Sequence, residues 1–396
     1  MTDFVLKEIQ SIADFNPVEK LPIGTTAKSI PMAMLKEFQR KIIGYEIAEF
    51  KSGSKFRNGD VLVAKITPCL ENGKTAFVDI LENDEIAFGS TEFIVLRAKD
   101  NTDKDFLYYF SRSPAFRKKA IGCMEGTSGR KRVNENSLKM LELPIPSLPI
   151  QKKIASVLST LDEKIALNNQ INATLEQMAK TLYDYWFVQF DFPDDNGKPY
   201  KSSGGEMVYN ETLKRDIPKG WEVKKLSEIA NLKAGGDKPS EFSDIPTEDL
   251  TVPIFSNGII NDGLYGYTNS STIKKPSITI SARGTIGFSK IRMNPFVPII
   301  RLISITPIEE FFLKYLEQFF KDMDFENSGS VQQQLTVPQI KDLAILIPSE
   351  KTLNKFHGIT LNGLLQIENN NEQIIELTKL RDWLLPMLMN GQVTVQ

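Results

Sequence analysis

The sequence predicts an α+β chain built as a pseudo-two-fold repeat. Two similar mixed α/β domains are separated by two long helices, which are expected to pair as an antiparallel coiled coil, although the intervening linker and domain leave either orientation sterically open. Three observations carry this expectation. Residues 147–187 contain no Gly and a single Pro, Pro149, and keep an apolar heptad over most of their length. The stretch SGRKRVNENSLKMLELPIP recurs as GSVQQQLTVPQIKDLAILIP, at an offset of 202 that also carries Asn169 onto Asn371, Leu175 onto Leu377 and Leu182 onto Leu384. Between the copies, residues 193–220 are rich in Gly, Pro, Ser and charge, the composition of a linker. The expected order is a first domain at 1–146, a long helix at 147–192, a linker at 193–220, a second domain at 221–348, a second helix at 349–391 and a tail at 392–396.

Within 1–146, residues 60–65 and 92–97 read as strands, with turn signals at Asn58-Gly59 and Asn72-Gly73. Residues 103–120 read as one helix, followed by a Gly-rich basic loop and an apolar run that ends at Pro146. In the first long helix Ser147 is the expected N-cap, and a Pro in the first turn costs no hydrogen bond. One seam line reads Ile154, Leu161, Asn168, Leu175, Leu182; the other reads Val157, Lys164, Ile171, Met178, Tyr185. At 1.5 Å per residue the helix spans roughly 55–60 Å, long for a core helix and suited to a strut. It runs into an aromatic cluster of Tyr183, Tyr185, Trp186, Phe187, Phe190 and Phe192, read as core packing. In the second half, 277–283 and 299–303 repeat the strand pair and 309–321 the helix. The second long helix carries Ile367, Ile374, Leu377 and Leu384 on its seam. Gly358 and Gly363, each costing about 1 kcal/mol against Ala, place its firm start near Leu364. Two exposed apolar stripes in one chain should bury each other.

At 396 residues the length suits two to three domains. No apolar run is long enough to span a bilayer, and residues 1–10 do not form a signal peptide. The two cysteines, Cys69 and Cys123, are far apart, consistent with a reduced cytoplasmic setting. A net charge of −2 excludes a uniformly basic coat, so the distribution of charge matters more than its sum.

Catalytic signals are weak. The single histidine, His357, lies on a predicted helix. Glu71-Asn-Gly-Lys-Thr75 contains the end of a phosphate loop, but Pro68 stands where that motif needs Gly, so the stretch reads as a turn. Asn294-Pro-Phe lacks the second Pro of an adenine-methylating tetrad. Asp194 with Glu222 and Lys224 imitates a nuclease triad, yet the Asp sits in the linker. Basic clusters are the better signal. Residues 112–132 hold seven bases (Arg112, Arg117, Lys118, Lys119, Arg130, Lys131, Arg132) against one acid, Glu125. Residues 263–308 hold six (Lys274, Lys275, Arg283, Lys290, Arg292, Arg301) and no acid. Local neutralisation of this kind suits duplex phosphates, and Arg forks suit guanine edges. Thr127 and Ser128 in one copy, and Gln332, Gln333 and Gln334 in the other, occupy equivalent loops and add polar groups for phosphates or adenine. A solvated basic face is the bland reading; one basic stretch per repeat weighs against it.

These features together resemble the specificity subunit of type I DNA restriction–modification enzymes. The carrying segments are LELPIPSLPIQKKIASVLSTLDEKIALNNQINATLEQMAKTLYDYWF, the linker FDFPDDNGKPYKSSGGEMVYN with IPKGWEVKKLSEIA, and ILIPSEKTLNKF with ENNNEQIIELTKLRDWLLPMLMNGQV. The resemblance implies two target recognition domains that each read half of a bipartite site in double-stranded DNA, with the helices as spacer. It implies no catalysis and no cofactor in this chain. It also implies methyltransferase subunits, two of them, that use S-adenosylmethionine, and restriction–translocase subunits that use ATP and magnesium. A coiled-coil adaptor that bridges proteins without reading DNA is the alternative from another class.

Overall fold

A computed structural model describes residues 4–127, 129–323, 325 and 334–395. Ser128, Gln332 and Gln333 lie outside the described residues. The chain divides into two compact units. One comprises the residues up to Asn169 and those from Glu372; the other runs from Gln170 to Asn371. Each unit holds one globule and one half of each long helix.

In the first unit, buried Val, Leu, Ile and Phe favour strands. An antiparallel sheet runs in the order Ala13–Phe15, Phe93–Ala98, Val61–Ala64, Thr75–Phe77. A second sheet of four strands orders Glu46–Glu49, Thr26–Ile30, Ala87–Gly89 and Ser54–Phe56. The expected helix at 103–120 is two helices, Lys104–Arg112 and Pro114–Gly122. Ser113 is extended, as a residue before proline prefers, and it caps the second helix by accepting from Phe116 N. Phe4–Glu8 pairs with Glu142–Pro146, the strand that leads into the first long helix.

The second unit repeats the plan. Its sheet orders Ala230–Ala234, Ile303–Pro307, Ser277–Ile280, Ser289–Arg292, and the helix Phe312–Asp322 packs against it. Glu222–Lys225 pairs with Ala344–Ile347, as Phe4–Glu8 does with its partner. The expected strand at 299–303 starts only at Ile303, because Ile300 and Arg301 take φ of 52° and 61° and turn the chain.

The first long helix is Leu148–Tyr183, followed by one wide π-type turn, Asp184–Val188. The second is Glu350–Met389, so it starts well before Leu364. Ser349 caps it through Thr352 N at 3.2 Å, and buried Leu353 and Phe356 anchor the turns around Gly358. Packing there offsets the glycine cost. The pairing is antiparallel within each unit. In the first, Asp162 meets Arg381 and Asn168 meets Gln373; in the second, Asn172 meets Asn370 and Asn371. The packing recurs at the offset of 202. Ile154 and Leu158 share a core with Leu385 and Leu388; Phe356 shares one with Tyr183 and Trp186.

One seam line lies where the heptad predicts, along Ile154, Leu161, Leu175 and Leu182, with Asn168 in it. The other is shifted by one residue. Leu158, Ala179 and Trp186 are buried and Ile165 and Asn172 half-buried, whereas Lys164, Met178 and Tyr185 are exposed and Val157 and Ile171 half-buried. The helix packs on its own globule as well as on its partner, which turns the buried stripe. In the second helix, Ile367 is buried and Ile374, Leu377 and Leu384 are half-buried.

The expected linker is ordered. Met207–Asn210 and Arg215–Pro218 form a hairpin, Asp191 accepts from Ser202 N and Oγ, and Phe192 stacks between Tyr200 and Trp221. Tyr183, Trp186, Phe187, Phe190 and Phe192 are core of the second unit. No helix among the described residues is long and apolar enough to cross a membrane.

Candidate nucleic-acid interface

In each unit the central sheet has one end where loops gather. In the first unit the loop after Val61–Ala64 meets the basic loop. Lys131 N donates to Thr67 Oγ1 and Thr67 N to Lys131 O, both at 3.1 Å; Val133 N donates to Lys65 O. The short hairpin of Met124–Glu125 with Arg132–Val133 carries Thr127 and Arg130 at its exposed tip. In the second unit the loop after Ser277–Ile280 meets the equivalent segment: Leu335 N donates to Ala282 O, and Arg283 donates to Gln334 Oε1. Arg132 and Gln334, related by the offset of 202, thus sit beside corresponding loops.

The basic residues do not all face outward free. Lys118, Lys119, Arg130 and Lys131 are exposed and make no ion pair among the described residues. Arg132 forks onto Glu92 with three contacts of 2.7–3.0 Å. That fork, with Lys65 nearby, holds the Glu92 carboxyl below its usual range despite partial burial. Arg117 is half-buried, its guanidinium 4.8 Å over the Phe38 ring; burial and neighbouring Arg112 lower its pKa. Lys290 pairs with Asp262 at 3.0 Å.

Arg292 does not belong to the exposed basic surface. It is buried, donates to Thr279 Oγ1 and to the carbonyl of Asp262, and lies 3.7 Å over the Phe255 ring. Burial lowers its pKa to about 10. It holds a loop together and does not reach solvent. Lys274 and Lys275 are exposed but precede Ser277–Ile280, whereas Arg283 follows it. Four residues of strand at about 3.3 Å each stand between them, so this basic stretch is split between two ends of the sheet.

The residues weighed for catalysis are engaged otherwise. Residues 66–73 form successive turns in which Leu70 N, Asn72 N and Gly73 N are bonded to local carbonyls, so the Glu71–Thr75 stretch offers no nest of free N–H groups. Asp194 accepts from Asn196 N and Lys198 N in a turn, and Glu222 pairs with Lys224 at 3.4 Å on one strand. His357 is half-buried, and burial lowers its pKa. Among the described residues no three His, Cys, Asp or Glu side chains gather where they could hold a metal ion.

A model of the "Type I restriction modification DNA specificity domain" matches this chain twice, over residues 9–177 and 218–379. The chain belongs to this family. The two matches fall on the two copies of the repeat. Relatives include the specificity subunit of the type I restriction enzyme MjaIX of Methanocaldococcus jannaschii. It is 30% identical over 318 residues, which is 75% of this chain and 71% of that one. The specificity subunit of the Haemophilus influenzae enzyme HindI is 26% identical over 406 residues, 85% and 87% of the two chains. The crystal structure of the type I restriction–modification S subunit of M. genitalium superposes with a TM-score of 0.61 at 18% identity, covering 98% of this chain and 96% of that one, and so shares the fold.

Proposed function

We propose that this specificity-family chain is the sequence-reading subunit of a type I restriction–modification complex. Each unit contacts one half of a bipartite site in duplex DNA, and the antiparallel helices keep the halves at a set spacing. The observation that carries this reading is the repeated loop cluster: corresponding ends of the two sheets each bring exposed cations beside polar side chains. Such groups bind phosphates and read base edges in the major groove.

The chain itself does no chemistry in this reading. Two methyltransferase subunits bound to it methylate adenines with S-adenosylmethionine, and restriction subunits translocate and cut with ATP and magnesium, all in the cytoplasm. Support comes from the environments of Asp194, Glu222 and His357, which are engaged in a turn, an ion pair and helix packing.

The test is to map methylated adenines genome-wide with and without the gene. Loss of methylation at one bipartite motif is the expected result. An unchanged methylome, with the partner subunits expressed, would overturn the proposal and return the adaptor reading.

A further inference from the structure

In the loop at 256–263 of the second unit, the tip is left uncovered by the described residues. Ile259 and Ile260 stand at its tip, 55% and 82% exposed. The tip is nevertheless built firmly. Asn261 and Asp262 both take left-handed backbone angles, and Gly263 follows at φ 80°, where a Cβ would lie 2.6 Å from Ser256 O. Ser256 N donates to Gly263 O at 2.8 Å and closes the base of the loop. Buried Arg292 donates to the Asp262 carbonyl, and Lys290 holds the Asp262 carboxylate.

The loop is tied to two others at the same end of the sheet. Asn257 donates from Nδ2 to Ile300 O at 2.6 Å and accepts from Ala282 N at 2.7 Å. It therefore joins the loop that carries Arg283 to the turn that carries Ile300 and Arg301. Ile300 is half-exposed at φ 52°, a backbone that a β-branched residue rarely adopts. A rigid apolar tip beside two exposed arginines matches one surface chemistry well. In the major groove, only thymine presents a methyl group among hydrogen-bonding edges and flanking phosphates.

We propose that Ile259 and Ile260 are specificity-determining residues that contact thymine 5-methyl groups in the half-site read by the second unit, with Arg283 and Arg301 on the adjoining backbone or guanine edges. This deepens the DNA-reading function and rests on it.

The experiment begins with the methylome, which supplies the motif. If no motif depends on the gene, it is the DNA-reading function that fails, and the failure is recognisable as such. With the motif in hand, the full chain in complex with its methyltransferase partners is titrated with duplexes in which each thymine of the site is replaced, one at a time, by deoxyuridine, which lacks only the methyl. One or two replacements in a single half-site should weaken binding about four-fold each, the worth of a buried methyl. The variant Ile259→Ala/Ile260→Ala, at exposed positions that leave the fold intact, should bind thymine and deoxyuridine duplexes alike at those positions. It should keep wild-type discrimination in the other half-site. Wild-type indifference to every replacement overturns the proposal, as does a variant as sensitive to deoxyuridine as the wild type. Equal loss on both duplexes would mark an intercalating wedge instead and overturn it too.

Discussion

Glu176 offers the sharpest perturbation of how a globule is fixed to its helix. It lies on the first long helix and accepts from Lys314 at 3.0 Å and Lys321 at 2.9 Å, both on Phe312–Asp322. Glu317 completes a square, 2.6 Å from Lys314 and 3.0 Å from Lys321, and Lys314 and Glu317 are almost fully buried. Burial alone would raise the Glu176 carboxyl; the two lysines outweigh it and hold the pKa at about 2, against an ordinary 4.5. The folded-state pKa is depressed, so the stability it confers is full above about pH 4.5 and is lost as the pH falls towards 2. A difference of that size corresponds to on the order of 3 kcal/mol. Glu176→Gln keeps an acceptor but removes the charge. Near pH 7 it should lower stability by on the order of 3 kcal/mol, and the gap between the two stability curves should narrow as pH falls from 5 towards 2. Urea denaturation followed by tryptophan fluorescence reads this well, since Trp186 and Trp221 lie in the second unit's core and Trp383→Phe removes the remaining tryptophan. A constant offset across pH 3–8, or none, would refute the clamp.

Other expectations follow from the same geometry. Arg130→Ala/Lys131→Ala should reduce the salt slope of DNA binding by about two, at roughly 0.9 per phosphate contact, while Arg132→Ala, already tied to Glu92, should change it less; equal effects in filter binding would count against the assignment. Arg381→Met leaves the largely buried Asp162 with only Tyr109 Oη, among the described residues, donating to it, and should cost about 3–5 kcal/mol in urea denaturation, most of it recovered by adding Asp162→Asn; a cost under 1 kcal/mol would show that the pair is dispensable. One heptad inserted after both Asn168 and Asn370 preserves the seam, since Asn168 meets Gln373 and Asn172 meets Asn370, so the insertions face each other. It should lengthen the pair by roughly 10 Å, or about three base pairs, and the methylome should show a longer spacer with unchanged half-sites or no recognition; an unchanged spacer would mean that the helices do not set it.

What the sequence discloses here depends on the range of the interaction involved. The repeat and the two helices were legible because a heptad and a constant offset are properties of the string itself. The register of the second seam line was not. Val157 and Met178 fit a two-helix heptad, but the helix also packs on its own globule, and that contact moves the buried stripe onto Leu158 and Ala179. The break at Ser113 was a local signal that could have been read, because Ser followed by Pro is both a cap and an interruption. The ordered stretch at 193–220 was hidden for a different reason. Its Gly and Pro spacing looks like a linker, and only the aromatic residues on either side, Phe192 and Trp221, recruit it into a core.

The interface divides along the same line. Counting charge in a window finds where cations are dense, but it cannot say which of them already have partners. Arg292 counted towards the basic stretch, yet in three dimensions it is a buried brace. Ile259 and Ile260, absent from any count of charge, are what that brace supports. The informative sequence signal would have been two isoleucines followed by Asn-Asp-Gly, apolar residues placed directly before a run that favours left-handed backbone. An aliphatic pair at the tip of a turn has no core to enter. The proposed contact with thymine methyl groups gives it a surface to bury against.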